Sequence, residues 1–171
     1  SLDGTGQMGE YIRSGLDYSA WLANFKQGVE LAQHRRQMRI DFTLTLPGMF
    51  EVDAIQALAS NYKVELLSKV VFSFTPDIIM SPLSLPRHLL EPWLDELIAD
   101  CTHNSMRDVL TQLKNRPTFQ EQWPNEWEQG LAKGKARVLQ LESIRGDKFT
   151  MDNILEERPD VHKWCQSIRT N

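Results

Sequence analysis

Cysteine is scarce in this chain of 171 residues, and the two that occur, Cys101 and Cys165, lie far apart in the sequence. Two distant cysteines form neither the framework of a small disulfide-rich protein nor the paired spacing of a metal-binding knuckle. We expect both to be free and to pack in helices as small apolar side chains. This use of cysteine favours a reducing, cytoplasmic setting.

Long hydrophobic runs are also missing, since none approaches the roughly 18 consecutive apolar residues that a membrane-spanning helix needs. The formal net charge of −4 gives no general reason to bind nucleic acid or an anionic membrane surface. The histidines show no metal-ligand spacing, so we predict no metal site. They are His34, His88, His103 and His162. The composition is otherwise that of a globular protein, sufficient for one domain with a core and a helical extension.

The first part of the chain alternates between strand and helix patterns. Residues 1–3 read as the end of a strand, and period-two hydrophobicity predicts further strands at 39–46 and 64–74. Helical spacing of apolar residues predicts one helix capped by Asp17 or Ser19 and running to about Arg36, and another at 52–62. This order predicts parallel strands with right-handed crossovers. The run at 64–74 is apolar on both faces near its end, which is typical of a strand covered on both sides.

After Ser81 the pattern becomes helical. Helices are predicted at 85–101, at 105–115, from 118 onward, at 126–145 and after Pro159. We therefore divide the chain into an α/β part at 1–82 and a helical part at 83–171. Three parallel strands with two helices leave sheet edges open, as a portion of a barrel does.

Three glycines, Gly4, Gly6 and Gly9, fit the pattern GxGxxG that binds the pyrophosphate of a dinucleotide. That motif should open a long helix, but Gly15 interrupts the one expected here. An acidic residue should also end the next strand, whereas Asp41 lies near its start. The dinucleotide interpretation stays open as an alternative, and a flexible glycine loop is favoured.

Several motifs occur in a definite order along the chain. Ser-Leu-Asp-Gly at 1–4 precedes Tyr-Ile-Arg at 11–13, and a helix with Trp21 and Asn24 follows. Two later stretches, "FTLTLPGM" and "KVVFSFTPDIIMSP", have the form of further strand ends. Together these motifs resemble radical S-adenosylmethionine enzymes, and most closely the group with a twitch domain. The resemblance covers 1–82 and is weaker beyond, where "LESIRGDKFTMDNILEERPDVHKW" is similar to the closing segment of some members.

The resemblance implies a fragment of a partial (βα)6 barrel with parallel strands, followed by a mostly helical tail. No initiator methionine precedes Ser1, and we expect the chain to be the back part of a larger enzyme. In parallel barrels the site forms at the carboxyl ends of the strands. Those ends are at 1–3, 45–48 and 72–75 in this chain.

The resemblance also implies a set of residues that would contact S-adenosylmethionine. They are Ser1, Arg13, Thr45, Phe72, Ser73 and Phe74. Ser1 would hold the methionyl part, and Arg13 would pair with its carboxylate. Thr45 would approach the ribose, and the backbone of the last three would bond adenine. As alternatives, Ser1 is a turn residue, Thr45 a strand filler and Arg13 a solvated surface residue. Catalytic residues are not predicted.

Lys69 lies among apolar neighbours in the last predicted strand. Two orientations of its side chain are possible. Either the side chain points into the barrel and touches substrate, or it extends outward with its ammonium group in water.

The Cys-x3-Cys-x2-Cys loop of the family, which holds three irons of a [4Fe–4S] cluster, is absent from this sequence. In the family this loop follows the first strand, upstream of the position of Ser1. We expect S-adenosylmethionine and the cluster to bind the full-length parent protein. Neither is expected to bind stably to this chain alone, which should be inactive. The expected partners are the missing N-terminal half of the barrel and a small-molecule or peptide substrate, without nucleic acid or membrane.

A second interpretation belongs to another class of function. The helical part would be a non-catalytic module that binds a partner protein, because tryptophans are efficient interface anchors. The candidates are Trp93, Trp123, Trp127 and Trp164. The same residues are also ordinary constituents of a helical core.

Overall fold

The computed structural model describes residues 1–71 and 75–170, without the side chain of Arg35. The described chain is a mixed α/β structure, mostly helical, with a parallel two-stranded sheet. The strands are β1 (Arg39–Leu44) and β2 (Glu65–Val70). Leu2 adds an isolated parallel bridge to Phe42. The predicted parallel direction is therefore confirmed, and a partial (βα)6 barrel stays a prediction.

Nine α-helices lie within the described residues. They are α1 (Gly6–Ile12), α2 (Tyr18–Leu31), α3 (Val52–Tyr62), α4 (Arg87–Asp100), α5 (Asn104–Lys114), α6 (Phe119–Gln122), α7 (Trp127–Arg145), α8 (Met151–Leu155) and α9 (Pro159–Ser167). Short 3-10 turns lie at Arg35–Gln37, Pro47–Glu51 and Pro82–Ser84. Within the described part of the chain, no helix is both long enough and apolar enough to cross a membrane.

The helix α2 begins where the sequence predicts and ends earlier. The Asp17 side chain caps it by accepting the N–H of Ala20 at 2.8 Å. It ends at Leu31, not near Arg36, so the predicted end was wrong. A Cβ on Gly28 would lie 2.7 Å from the Cε of Met38, because the chain has already folded back toward β1 at that point.

The glycine-rich start is a helix and not a flexible loop. Gly6 has a φ of +47°, which suits the turn that opens α1. A Cβ on Gly9 would collide with the carbonyl oxygen of Gly4, so these two positions approach each other closely. The helix ends before Gly15, in agreement with the predicted interruption.

The sheet is buried on one face and open on the other. The core face carries side chains of both strands. These are Ile40, Phe42, Leu44, Leu66, Ser68 and Val70. On the other face Leu67 is 46% exposed, and Arg39 and Lys69 are exposed. Over its described residues β2 is therefore covered on one side. The predicted burial on both sides concerns the end of the run, where 72–74 lie outside the described residues. The outward orientation of Lys69 is the one observed.

The helical part packs directly against the sheet part. The Ser105 hydroxyl donates to the carbonyl of Leu66 in β2. The Gln56 side-chain oxygen, in α3, accepts the N–H groups of Thr102 at 2.8 Å and His103 at 3.0 Å. One hydrophobic core takes buried side chains from both sides of Ser81. The predicted change of character at Ser81 therefore lies within one packed body.

Candidate functional site

Two of the residues predicted to hold the cofactor lie together at the carboxyl end of the parallel stretches. The guanidinium of Arg13 reaches the hydroxyl of Ser1, with Nη2 and Oγ separated by 3.2 Å. It also pairs with Asp3, where Nε and Nη2 lie 2.8 and 2.7 Å from the same Oδ2 atom. Sequence reasoning missed Asp3, although the quoted Ser-Leu-Asp-Gly motif contains it.

The Arg13–Asp3 pair is unevenly exposed. The Arg13 side chain is 42% exposed and that of Asp3 is 12% exposed. The second carboxylate oxygen, Oδ1 of Asp3, is buried and has no hydrogen-bond partner among residues 1–71 and 75–170. An anion that approaches the open side of Arg13 would therefore share the guanidinium with Asp3, which fixes the orientation of the group.

Thr45 forms the next part of this end of the sheet. It is 5% exposed, and its hydroxyl accepts the N–H of Gly48 at 3.0 Å. A Cβ on Gly48 would lie 2.9 Å from the Thr45 Oγ1 atom and 3.2 Å from the backbone oxygen of Asp3. The turn after β1 therefore contacts the stretch that carries Ser1 and Asp3. A contact between Thr45 and a ribose stays a prediction.

The three predicted adenine contacts, Phe72, Ser73 and Phe74, lie outside the described residues. The structure describes the residues on either side of 72–74. The N–H of Val71 donates to Leu44 at 3.0 Å, and the N–H of Leu46 donates to Met80 at 2.6 Å. The chain before and after 72–74 therefore lies beside the end of β1, next to the turn that holds Thr45.

The cysteines do not fit an iron–sulfur centre of the family's kind, which needs three thiolates from one loop. Cys101 and Cys165 are both free and buried, as predicted. Burial is the main cause that raises the pKa of each thiol, so both are neutral near pH 7.

Comparison of the chain with protein-family models, curated proteins and solved structures gave no match. The resemblance to radical S-adenosylmethionine enzymes therefore depends on the sequence motifs alone.

A group of possible metal ligands lies where α8 meets α9. The ligand atoms of Asp152, Glu156 and His162 lie within 4.8 Å of one another. Sequence spacing missed this group because it forms between two helices. His162 Nε2 lies 2.7 Å from an Asp152 oxygen and 3.1 Å from Gln166 Nε2, and both carboxylates are exposed. These hydrogen bonds account for the arrangement without an ion.

A cleft of about 560 Å³ lies between the start of α7 and the end of α9, lined in part by Trp127, Trp164 and Arg169. Two of the four tryptophans predicted as interface anchors therefore line a surface cleft. Of the other two, Trp93 belongs to the packed interior and Trp123 is partly buried against it. Trp93 is 4% exposed, and Trp123 packs edge-on against Phe119.

Proposed function

We propose that this chain is the carboxyl-terminal portion of a radical S-adenosylmethionine enzyme and forms part of the wall that binds this cofactor. The observation that carries the proposal is the juxtaposition of Ser1, Arg13 and Asp3 with the Thr45–Gly48 turn and the flanks of 72–74. In parallel α/β folds, ligands bind where the carboxyl ends of the strands meet.

Each residue of the wall contributes a different contact to the bound cofactor. The exposed side of Arg13 takes the carboxylate of the methionyl group, and the Ser1 hydroxyl adds a hydrogen bond. Asp3 holds the guanidinium in place through two bonds to one oxygen. Thr45 contributes by fixing the turn beside the ribose, since its hydroxyl is buried and accepts the N–H of Gly48. The backbone at 72–74 bonds adenine.

The bound cofactor, together with a [4Fe–4S] cluster held by the parent protein, supplies radical chemistry that removes a hydrogen atom from a substrate. This chain orients the cofactor and helps to exclude water. A cytoplasmic location belongs to the same proposal, and the two free, buried cysteines support it.

Calorimetric titration of the full-length parent, with its cluster intact, tests the proposal. Arg13→Ala removes a charge-assisted contact worth about 1.5–3 kcal/mol, so we expect S-adenosylmethionine to bind about ten- to a hundredfold more weakly. The matched control is Arg137→Ala, an exposed arginine of α7 outside the wall. Equal affinity for wild type and Arg13→Ala removes Arg13 from the site. Equal affinity for the double variant Ser1→Ala, Thr45→Ala as well leaves the wall without support.

The cleft beside Trp127 and Trp164 favours one alternative, a helical module that binds a partner protein without catalysis. The reading frame upstream of Ser1 distinguishes the two functions. A Cys-x3-Cys-x2-Cys motif within about one domain length favours the enzyme. A frame that encodes no such motif favours the module.

A further inference from the structure

The longest helix, α7, contacts two separate segments of the proposed cofactor wall. Near its beginning α7 contacts the chain that follows residues 72–74. Near its end it contacts α1, the helix that leads to Arg13. The second contact joins two motifs that lie far apart in the sequence, Tyr-Ile-Arg at 11–13 and the closing segment around Arg145.

The first contact is a close approach between backbone and helix. A Cβ on Gly130 would lie 2.8 Å from the carbonyl carbon and oxygen of Pro76. A Cβ on Gly134, one turn later on the same helix face, would collide with the carbonyl oxygen of Asp77. Any side chain at either glycine would push the loop at Pro76 and Asp77 away from α7.

The second contact is a buried hydrogen bond between residues distant in the sequence. The Tyr11 hydroxyl donates to Glu142 Oε1 at 2.7 Å, and both residues are 7% exposed. The same oxygen accepts the N–H of Met151 at 2.7 Å. A carboxylate that accepts two hydrogen bonds fixes the position of both donors.

Arg145 adds a second connection to the same tyrosine. Its Nη1 atom donates to the carbonyl oxygen of Tyr11 at 3.2 Å, and its guanidinium lies 5.3 Å from the centre of the Tyr11 ring. Asp147 holds this guanidinium through an ion pair of 2.5 Å. Tyr11 belongs to α1, and Arg13 caps the end of that helix. The position of Arg13 therefore depends on contacts made by α7.

We propose that α7 is a brace that positions the cofactor wall, with Glu142 acting on Arg13 through Tyr11, and Gly130 and Gly134 acting on the loop at Pro76 and Asp77. This inference rests on the proposed function. It makes the helical part a component of the cofactor site and not an independent module, and Glu142 is a positioning residue because it acts through Tyr11.

Two measurements on the same variants test the brace. Hydrogen exchange of this chain reports the order of 6–13 and 75–81, and titration of the full-length parent reports affinity for S-adenosylmethionine. We expect Glu142→Ala to speed exchange at 6–13 and to weaken binding about three- to thirtyfold, the usual range for coupling through packed contacts. Glu142→Gln keeps an oxygen acceptor, so it should retain most of the slow exchange at 6–13 and most of the affinity for S-adenosylmethionine. Gly134→Ala should speed exchange at 75–81.

The control is Glu128→Ala, an exposed residue at the other end of α7, which should change neither measurement. Tyr11→Phe removes the hydroxyl alone and serves if Glu142→Ala fails to fold. If hydrogen exchange at 6–13 is unchanged in Glu142→Ala and Tyr11→Phe, the brace is overturned. If the affinity of these two variants for S-adenosylmethionine is unchanged while Arg13→Ala weakens binding, the brace is also overturned. Unchanged affinity in Arg13→Ala overturns the proposed function, and exchange alone then decides whether α7 orders these segments.

Discussion

The helical part of this molecule joins its helices through arginine side chains, whereas the sheet part has a face open to solvent. In the helical part Arg87 donates to the carbonyl oxygens of Lys114 at 2.8 Å and Arg116 at 2.6 Å, and to both oxygens of Glu121. In the sheet part Lys69 faces solvent beside Leu67, and a buried oxygen of Asp3 has no partner among the residues described.

Arg158 forms a second arginine cluster in the helical part, although its Nε atom is buried without a hydrogen-bond partner among the residues described. Its guanidinium forms two hydrogen bonds with Glu96, of 2.6 and 3.1 Å, and lies 4.7 Å from the centre of the Trp93 ring. These contacts join α4 to the start of α9. Because buried polar atoms without a partner occur in both parts of the described chain, the difference between the parts lies in the open face of the sheet and not in hydrogen-bond satisfaction.

The largest expected effect tests whether the two regions fold as one unit. Phe42 in β1 and Phe119 in α6 are both fully buried in the shared core. Phe42→Ala and Phe119→Ala should each lower the free energy of unfolding by about 3–5 kcal/mol. Because one core joins the regions, each variant should unfold in a single transition.

Urea unfolding followed by tryptophan fluorescence and by far-ultraviolet circular dichroism measures this. The two probes should give coincident curves. If Phe119→Ala instead produces an early transition that leaves the rest of the curve unchanged, the regions are independent and the comparison becomes one between two domains.

Local patterns predicted the parts of the fold that depend on local contacts. The alternation in β1 and the helical spacing in α3 were sufficient, and α3 spans the predicted residues. Helix α1 was missed because its glycines are poor helix formers. Contacts far along the chain hold it, among them the N–H and hydroxyl of Thr5, which donate to Glu51 Oε2 at 2.5 and 2.6 Å.

The sequence predicted the candidate site only at residues that belong to the motifs of the resemblance. Ser1 and Arg13 came from the resemblance, and the structure brings them together. Asp3 was missed because its bond to Arg13 spans a turn and a helix that the sequence did not predict. Glu142 was missed because a glutamate on a surface helix is normally exposed. Its partner Tyr11 lies 131 positions away, and no local pattern indicates such a pair.

A smaller effect should follow from the Arg87 cluster. Arg87→Ala removes bonds to two carbonyl groups and one carboxylate, so we expect a loss of about 2–3 kcal/mol. The hydrogen bond from Arg87, followed by that from the Thr118 N–H, lowers the pKa of Glu121 to about 2 from the ordinary 4.5. A lowered pKa means that this contribution is present above pH 4.5 and is lost as the pH falls toward about 2.

Unfolding free energy measured between pH 7 and pH 2 checks this prediction. Wild type should lose more stability in acid than Arg87→Ala, while Arg137→Gln, at an exposed position of α7, should follow wild type. Parallel pH profiles for wild type and Arg87→Ala would show that the helical part is not stabilised by this cluster.

The contact between the regions at Tyr11 should contribute less, about 1 kcal/mol in Tyr11→Phe. Burial, and then the hydrogen bond to Glu142, raises the pKa of Tyr11 far above the ordinary value of 10.0. A raised pKa means that the contribution is present below pH 10 and is lost as the pH rises above it. Thermal unfolding between pH 8 and 11 should therefore show a steeper decline for wild type than for Tyr11→Phe. Equal slopes for wild type and Tyr11→Phe would show that the hydrogen bond from Tyr11 to Glu142 does not contribute to stability.

The smallest effect concerns the open face of the sheet. Leu67 is 46% exposed there, and its substitution should change the free energy of unfolding by no more than about 0.5 kcal/mol. The same face, beside the edge of a two-stranded sheet, favours association of chains at high concentration. Leu67→Lys adds a charge to this face and should reduce association in sedimentation velocity runs, with Leu139→Lys on α7, where the leucine is 47% exposed, as the matched control. Because charge opposes pairing at a sheet and α7 offers no strand edge, the first variant should act more strongly than the second. Equal effects of the two variants would show that the open sheet face does not differ from the helical surface in this respect.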